Sequence, residues 1–225
     1  MKKIFIKIFK LFGFEIIDQN RFISPTLDKE LNQDLSVINK KSIVLPLGKV
    51  KITKIVNSIL IIVRVNTEIE VWDQNKKRLF ECKKIDYSIR SINSLIKSID
   101  FCKKKYPNLN IKTVIIDDNS NDENLDKIIK LIEGKNIEII SLDHKKYKTK
   151  IKKQKTNETF SNLASLFQSF EIAKEKGEDL IFFVEDDYIH SLSMLEEMVS
   201  SYERIASQLG KDIFMCPSDY PYLYM

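Results

Sequence analysis

Glycine is nearly missing from this sequence of 225 residues. The five present (Gly13, Gly48, Gly134, Gly177 and Gly210) are about 2% of the chain against a usual ~7%, and the closest two lie 33 positions apart. A Walker phosphate loop and a GxGxxG dinucleotide fingerprint both need glycines a few residues apart, so both are excluded. Histidine is scarcer still, with only His144 and His190, and Cys82, Cys102 and Cys216 are widely scattered. That spacing leaves no zinc finger, HExxH or CxxC arrangement, and an odd number of lone thiols suits a reducing compartment such as the cytoplasm. The GxSxG elbow of many hydrolases is absent as well. No purely apolar run exceeds five residues (Ile59 to Val63 and Leu180 to Val184 are examples), whereas a membrane span needs ~18. What is present is a balanced, core-forming composition: 43% hydrophobic residues, with 37 Lys and Arg against 32 Asp and Glu. Such a chain folds rather than staying disordered. With the common nucleophile, zinc and phosphate-loop patterns excluded, carboxylates are left to carry the chemistry.

The organisation reads in three parts. Residues 1–18 open with MKKIFIKIFKLF, in which Lys3, Lys7 and Lys10 share one helical side and Ile4, Phe5, Ile8, Phe9, Leu11 and Phe12 cover most of the rest. This fits a basic amphipathic helix lying in an anionic membrane surface, or equally a terminal helix docked on protein. Residues 19–56 read as a polar linker followed by a small hairpin of Ser42 to Leu47 with Lys49 to Val56. From residue 57 onward, strand and helix patterns alternate. Ser58 to Val65, Ile111 to Ile116, Ile137 to Leu142 and Leu180 to Val184 are apolar runs of strand length, and Ile213 to Cys216 suggests a short fifth strand. Between them Ile85, Ile89, Ile92, Leu95, Ile96 and Ile99 mark one helical face, and Leu125, Ile128, Ile129 and Ile132 mark a second, with Gly134 as its C-cap. Phe160, Leu163, Phe167 and Phe170 mark a third helix, closed by Gly177. A fourth carries Met194, Leu195, Met198, Tyr202 and Ile205 behind a Ser193 to Glu196 capping box. This alternation predicts an α/β fold with a doubly wound, mainly parallel sheet.

Open sheets of this kind bind ligands beyond the carboxyl ends of their strands. Two acidic runs fall at that end. Asp117, Asp118, Asn119, Ser120, Asn121 and Asp122 follow the strand TVII, and Glu185, Asp186 and Asp187 follow IFFV. Each run has a plain structural explanation, because Asp, Asn and Ser are the residues that a strand-to-helix turn and an N-cap require. Three consecutive acids exceed what a cap needs, and their mutual repulsion would be relieved by a cation. Carboxylate oxygens suit Mg²⁺ or Mn²⁺, whose sites commonly combine one or two carboxylates with substrate phosphates. The ligand expected here is a metal-bound nucleotide diphosphate.

The stretch YPNLNIKTVIIDDNSND, Tyr106 to Asp122, resembles the second strand and following loop of family 2 glycosyltransferases, and GEDLIFFVEDD, Gly177 to Asp187, resembles that family's turn, strand and DxD motif. The resemblance covers Ser58 to Asp187 and implies the nucleotide-diphospho-sugar transferase fold known as GT-A. It implies that Asp118, with Asp117 beside it, accepts hydrogen bonds from a uracil-type base, and that Asp186 faces ribose and sugar. Asn66 matches the Asn of the family's first turn, and Arg64 stands where a Pro or small residue is usual. Glu185 and Asp187 would hold Mn²⁺ or Mg²⁺, with His190 a further candidate three positions on. The donor would be a nucleotide-diphosphate sugar, UDP-type favoured, and the acceptor a glycan or lipid-linked hydroxyl. Cell-envelope polysaccharide or lipopolysaccharide synthesis at the inner face of the membrane is the setting the family suggests.

Only 38 residues follow Asp187, ending in SDYPYLYM, and the family's acceptor half and general base are not visible among them. The sequence is therefore expected to be a fragment, unless Asp219 supplies the base or the chain binds donor without turning it over. The loop with seven lysines between Lys145 and Lys155 reads as a solvated surface run or as a clamp for diphosphate or anionic lipid. Basic residues are not interleaved with aromatics as in nucleic-acid binders. Two other classes stay open: a Mg-dependent phosphotransferase or nuclease-like enzyme, and a non-catalytic nucleotide-binding or scaffold module.

Overall fold

The computed structural model describes residues 49–68, 82–152 and 156–215, with short pieces at 9, 11–12, 30–31 and 42–43. The chain divides into two compact units, Met1–Lys51 and Ile52–Met225. In the first unit β1 (Glu30–Leu31) pairs antiparallel with β2 (Ser42–Ile43). The partner of Ser42–Ile43 is thus not the stretch from Lys49 to Val56, as the sequence suggested, and residues 49–56 contain no strand. The reason lies in the second unit, where backbone amides of that stretch are taken by side chains. Thr53 N and Lys54 N donate to Ser207 Oγ and Val56 N donates to Glu203 Oε1. Phe9 and Leu11 are helical and Phe12 is a turn residue, all three exposed; the rest of the expected helix over 1–18 lies outside the described residues.

The second unit runs β3 (Ser58–Val65), α1 (Lys84–Lys105), β4 (Asn110–Asp117), α2 (Asp122–Ile132), β5 (Ile137–Ser141), α3 (His144–Tyr147), α4 (Asn157–Lys176), β6 (Leu180–Glu185) and α5 (Met194–Leu209). Four strands form one all-parallel sheet in the order β5-β4-β3-β6. Helices cover both faces, which is why the strand sequences are continuous apolar runs rather than alternating ones. Ile59, Ile61, Val63 and Val65 pack with Ile92, Leu95, Ile128, Leu195 and Val199 from α1, α2 and α5. Leu60 and Ile62 pack on the other face with Tyr147, Ala164 and Ile172 from α3 and α4. The fold is α/β with a parallel sheet wound on both faces.

Growth of the sheet reverses between β5 and β6, so β3 and β6 meet where the strand order changes direction, the place where open α/β sheets bind ligands. Parallel register levels the strand ends: Val65 lies opposite Asp117, Arg64 opposite Glu185, and Asp117 opposite Ser141.

Three local expectations need correction. Ile213 to Met215 form no strand, and Cys216 lies outside the described residues. With Phe214 wholly exposed, this stretch has no buried face to stabilise one. Ser193 is the N-cap of α5, but its hydroxyl donates to Glu197 Oε1 at 2.7 Å instead of closing a capping box, because Glu196 is taken by Lys105 of α1. The lysine-rich loop contains a helical turn, α3, anchored by the buried Tyr147. The two glycines read as helix stops do stand at helix ends. Gly134, with φ +71°, follows the C-cap Glu133, and Gly177 is itself the C-cap of α4 in an extended conformation.

Candidate functional site

Each acidic run begins at the last residue of a core strand, so sheet register carries both to one edge. There Asn66, the residue after β3, joins them. Its side-chain Nδ2 donates to Asp118 Oδ2 at 2.9 Å, and its backbone N donates to Asp186 Oδ2 at 3.4 Å. Its Oδ1 accepts from Glu68 N at 3.0 Å, closing a turn of the chain leaving β3.

The Asp117 to Asp122 run divides by role. Asn119 adopts φ +58°, a left-handed conformation that Asn tolerates, and the Asn121 side chain accepts from Asn124 N at 2.8 Å to cap α2. Turn and cap requirements account for those residues. They do not account for Asp117 and Asp118, which are 5% and 6% exposed. Asp118 accepts through Oδ2 from Ser161 Oγ at 2.6 Å as well as from Asn66, while its buried Oδ1, 2.9 Å from His144 Nε2, accepts no hydrogen bond among the described residues. Because the Ser161 hydroxyl proton goes to Asp118, the 2.8 Å contact between His144 Nε2 and Ser161 Oγ has the histidine as donor. That is the reverse of a serine nucleophile activated by a base. Asp117 is held more lightly: its Oδ2 accepts from Ser120 N at 3.3 Å, and its buried Oδ1 has no partner among the described residues. Burial pushes its carboxyl up from the ordinary value, against hydrogen bonding from Ser120, and the nearby charges of Asp118 and Glu68 push the same way. Each of the pair thus keeps one buried oxygen without a hydrogen bond, that of Asp118 beside His144 and that of Asp117 with no ion-pair partner among the described residues.

The second run is held by cations. Glu185 pairs with Arg64, whose other nitrogen donates to Asn162 Oδ1 at 2.7 Å and Ser165 Oγ at 3.2 Å on α4. Asp186 pairs with Lys84 Nζ at 2.7 Å and accepts from Ser88 Oγ at 2.5 Å, both on the first turns of α1. Asp187 is exposed and has no ion-pair or hydrogen-bond partner among the described residues. The His190 ring lies edge-on to Phe182, with centroids 6.4 Å apart, and its backbone N donates to Ser94 Oγ at 3.0 Å. Burial lowers its pKa below the ordinary value, which favours the neutral ring. Among the described residues no three His, Cys, Asp or Glu side chains converge as a metal-ligand set. As they stand, Glu185, Asp187 and His190 do not form a divalent-ion site. Asp219 lies outside the described residues.

Several contributors have no motif in the sequence. Glu68 accepts from Thr67 Oγ1, from Asn121 N and Nδ2, and from Asn124 Nδ2, fastening the chain after β3 onto the start of α2. A row of serines on α1 receives the segment after β6: Ser88 bonds Asp186, Ser94 accepts from His190 N and Ser98 accepts from Leu195 N. Their signal was available as Ser88, Ser91, Ser94 and Ser98, small polar residues three and four apart beside the isoleucine face. In the lysine loop, Lys146 and Lys150 pair with Glu171 of α4 and Tyr147 donates to it at 2.7 Å. Those three bonds pull Glu171 down to about 2, while burial pushes Tyr147 up to about 12. These two lysines are therefore structural; Lys153 and Lys155 lie outside the described residues.

The arrangement offers a buried carboxylate oxygen for a ligand N–H, a bridging amide and two ordered cations, all at the carboxyl edge of one parallel sheet. Comparison with protein-family models, with curated proteins and with solved structures finds no match.

Proposed function

We propose that this chain is a glycosyltransferase domain of the GT-A type, binding a nucleotide-diphosphate sugar, UDP-type favoured, and passing the sugar to a hydroxyl of a glycan or lipid-linked acceptor. The observation that carries the reading is the Asn66 bridge between Asp118 and Asp186, with the unpartnered Asp117 Oδ1 on the same edge. A nucleobase supplies the N–H that such an oxygen lacks, and the Glu185 to Asp187 side of the edge is left for ribose, phosphates and sugar. Stabilising the charge that develops on the departing diphosphate is the main task of such a site. A Mn²⁺ or Mg²⁺ ion arriving with the donor would meet Asp187 first, since side chains of this chain already hold Glu185 and Asp186. A phosphotransferase or nuclease-like site is less well supported, because it needs carboxylates converging on one ion, and among the described residues none do so.

The proposed setting is envelope-polysaccharide synthesis at the inner membrane face, with the basic amphipathic start as the surface contact. No helix among the described residues is long and apolar enough to cross a membrane. Calorimetric titration with UDP, GDP and CDP tests the nucleotide reading: one base should bind at least tenfold tighter than the others. Equal affinities, or no binding, would contradict it.

A further inference from the structure

The three acids after β6 invite a metal, yet the chain has placed cations of its own on two of them. The two ion pairs are built asymmetrically. Arg64 is held by neutral partners on α4, Asn162 at 2.7 Å and Ser165 at 3.2 Å, so its guanidinium keeps its position if Glu185 leaves. The Glu185 side chain is 52% exposed against 16% for Arg64, so it is the partner free to swing into water. In the other pair both side chains are largely buried, Lys84 15% and Asp186 9% exposed, and it is the carboxylate that has other partners: Asp186 keeps Ser88 Oγ and Asn66 N if the lysine, on its flexible stem, turns to a new anion. Both cations stand on the edge that also carries the unpartnered Asp117 oxygen, which independently points to a ligand there.

Resting on the nucleotide-donor reading, we infer that Arg64 and Lys84 bind the donor's diphosphate directly, Glu185 and Asp186 acting as stand-in anions that are released when the phosphates arrive. A guanidinium fork fits two phosphate oxygens in a bidentate manner, and lysine adds a point charge. Donor binding is then an exchange of anions, on a fixed Arg64 and on a Lys84 that turns from Asp186, and does not require a divalent ion. Glu185 acquires a role opposite to that of a metal ligand, because it competes with the phosphates for Arg64.

The opposite signs make the test sharp. Calorimetry on the full chain in EDTA should show inorganic pyrophosphate binding, and UDP binding at least tenfold tighter than uridine. Arg64→Gln should weaken pyrophosphate and UDP at least tenfold and leave uridine unchanged. Lys84→Gln should do the same to a smaller degree. Glu185→Gln should tighten UDP severalfold without metal. Absence of pyrophosphate binding in EDTA, or weaker UDP binding by Glu185→Gln, overturns the inference whatever uridine does. Pyrophosphate binding with no uridine binding supports the cation assignment and sinks the nucleotide reading alone. If Arg64→Gln fails to fold, Lys84→Gln and Glu185→Gln decide between the same outcomes.

Discussion

Asp117 is a buried acid that the fold does not satisfy, and its cost and its use are the same feature. A buried polar oxygen without a partner destabilises by ~1–3 kcal/mol. Its folded-state pKa is raised, so the folded chain holds that proton more tightly than the unfolded one, and stability is lost as pH rises through the folded value. At neutral pH the group is therefore a liability. Asp117→Asn should raise the melting temperature of the ligand-free protein by ~2–4 °C, the shift of about 1 kcal/mol at this length. A lower melting temperature would show the charge to be structural. His190 behaves in the opposite direction. Burial depresses its pKa below 6.5, so the stability it leaves intact at neutral pH is lost as pH falls through 6.5 toward the folded value. Glu171, pulled down to about 2, loses its contribution only in a separate window below 4.5. Urea unfolding between pH 7 and 5.5 should show falling stability in the parent and a flatter profile in His190→Phe. Parallel profiles would remove His190 as the cause.

At the scale of elements, the sequence showed the strands well and their partners poorly. Ser58–Val65 matches its expected bounds, and the runs at 111–116 and 180–184 extend by one residue at one or both ends, because a doubly covered parallel strand must be an unbroken apolar run. The hairpin expected over 42–56 failed because side chains of α5, some 150 residues away, take the amides that a strand would have used. No local pattern reports that. Gly177 shows the reverse case, a single residue whose identity is dictated by packing at one point. A Cβ there would stand 2.4 Å from Ala173 O and 2.8 Å from Ile181 Cδ1, between the end of α4 and the start of β6. Gly177→Ala should destabilise by ~1–3 kcal/mol, since backbone on one side cannot yield. An unchanged denaturation midpoint would mean that the α4–β6 turn adapts freely.

For the whole molecule, parallel topology makes one site out of residues 52 to 121 positions apart. Arg64 to Glu185, Asn66 to Asp118 and Lys84 to Asp186 are joined by strand order and register, so sequence spacing could place the acids at an edge without naming what holds them. The acids were legible because strand ends are legible. Their cations, the Ser161 bond to Asp118 and the His144 ring beside it were not, because each comes from a different element. The measurement that bears most directly on the donor site is a thermal melt of the parent chain and Asp117→Asn, each with and without UDP. Ligand at about 100 times its dissociation constant adds ~2.7 kcal/mol to a protein that binds it only when folded. A site built on Asp117 predicts that UDP raises the parent's melting temperature by clearly more than the variant's, although the variant starts higher. Equal shifts in both proteins, or none in the parent, would contradict it.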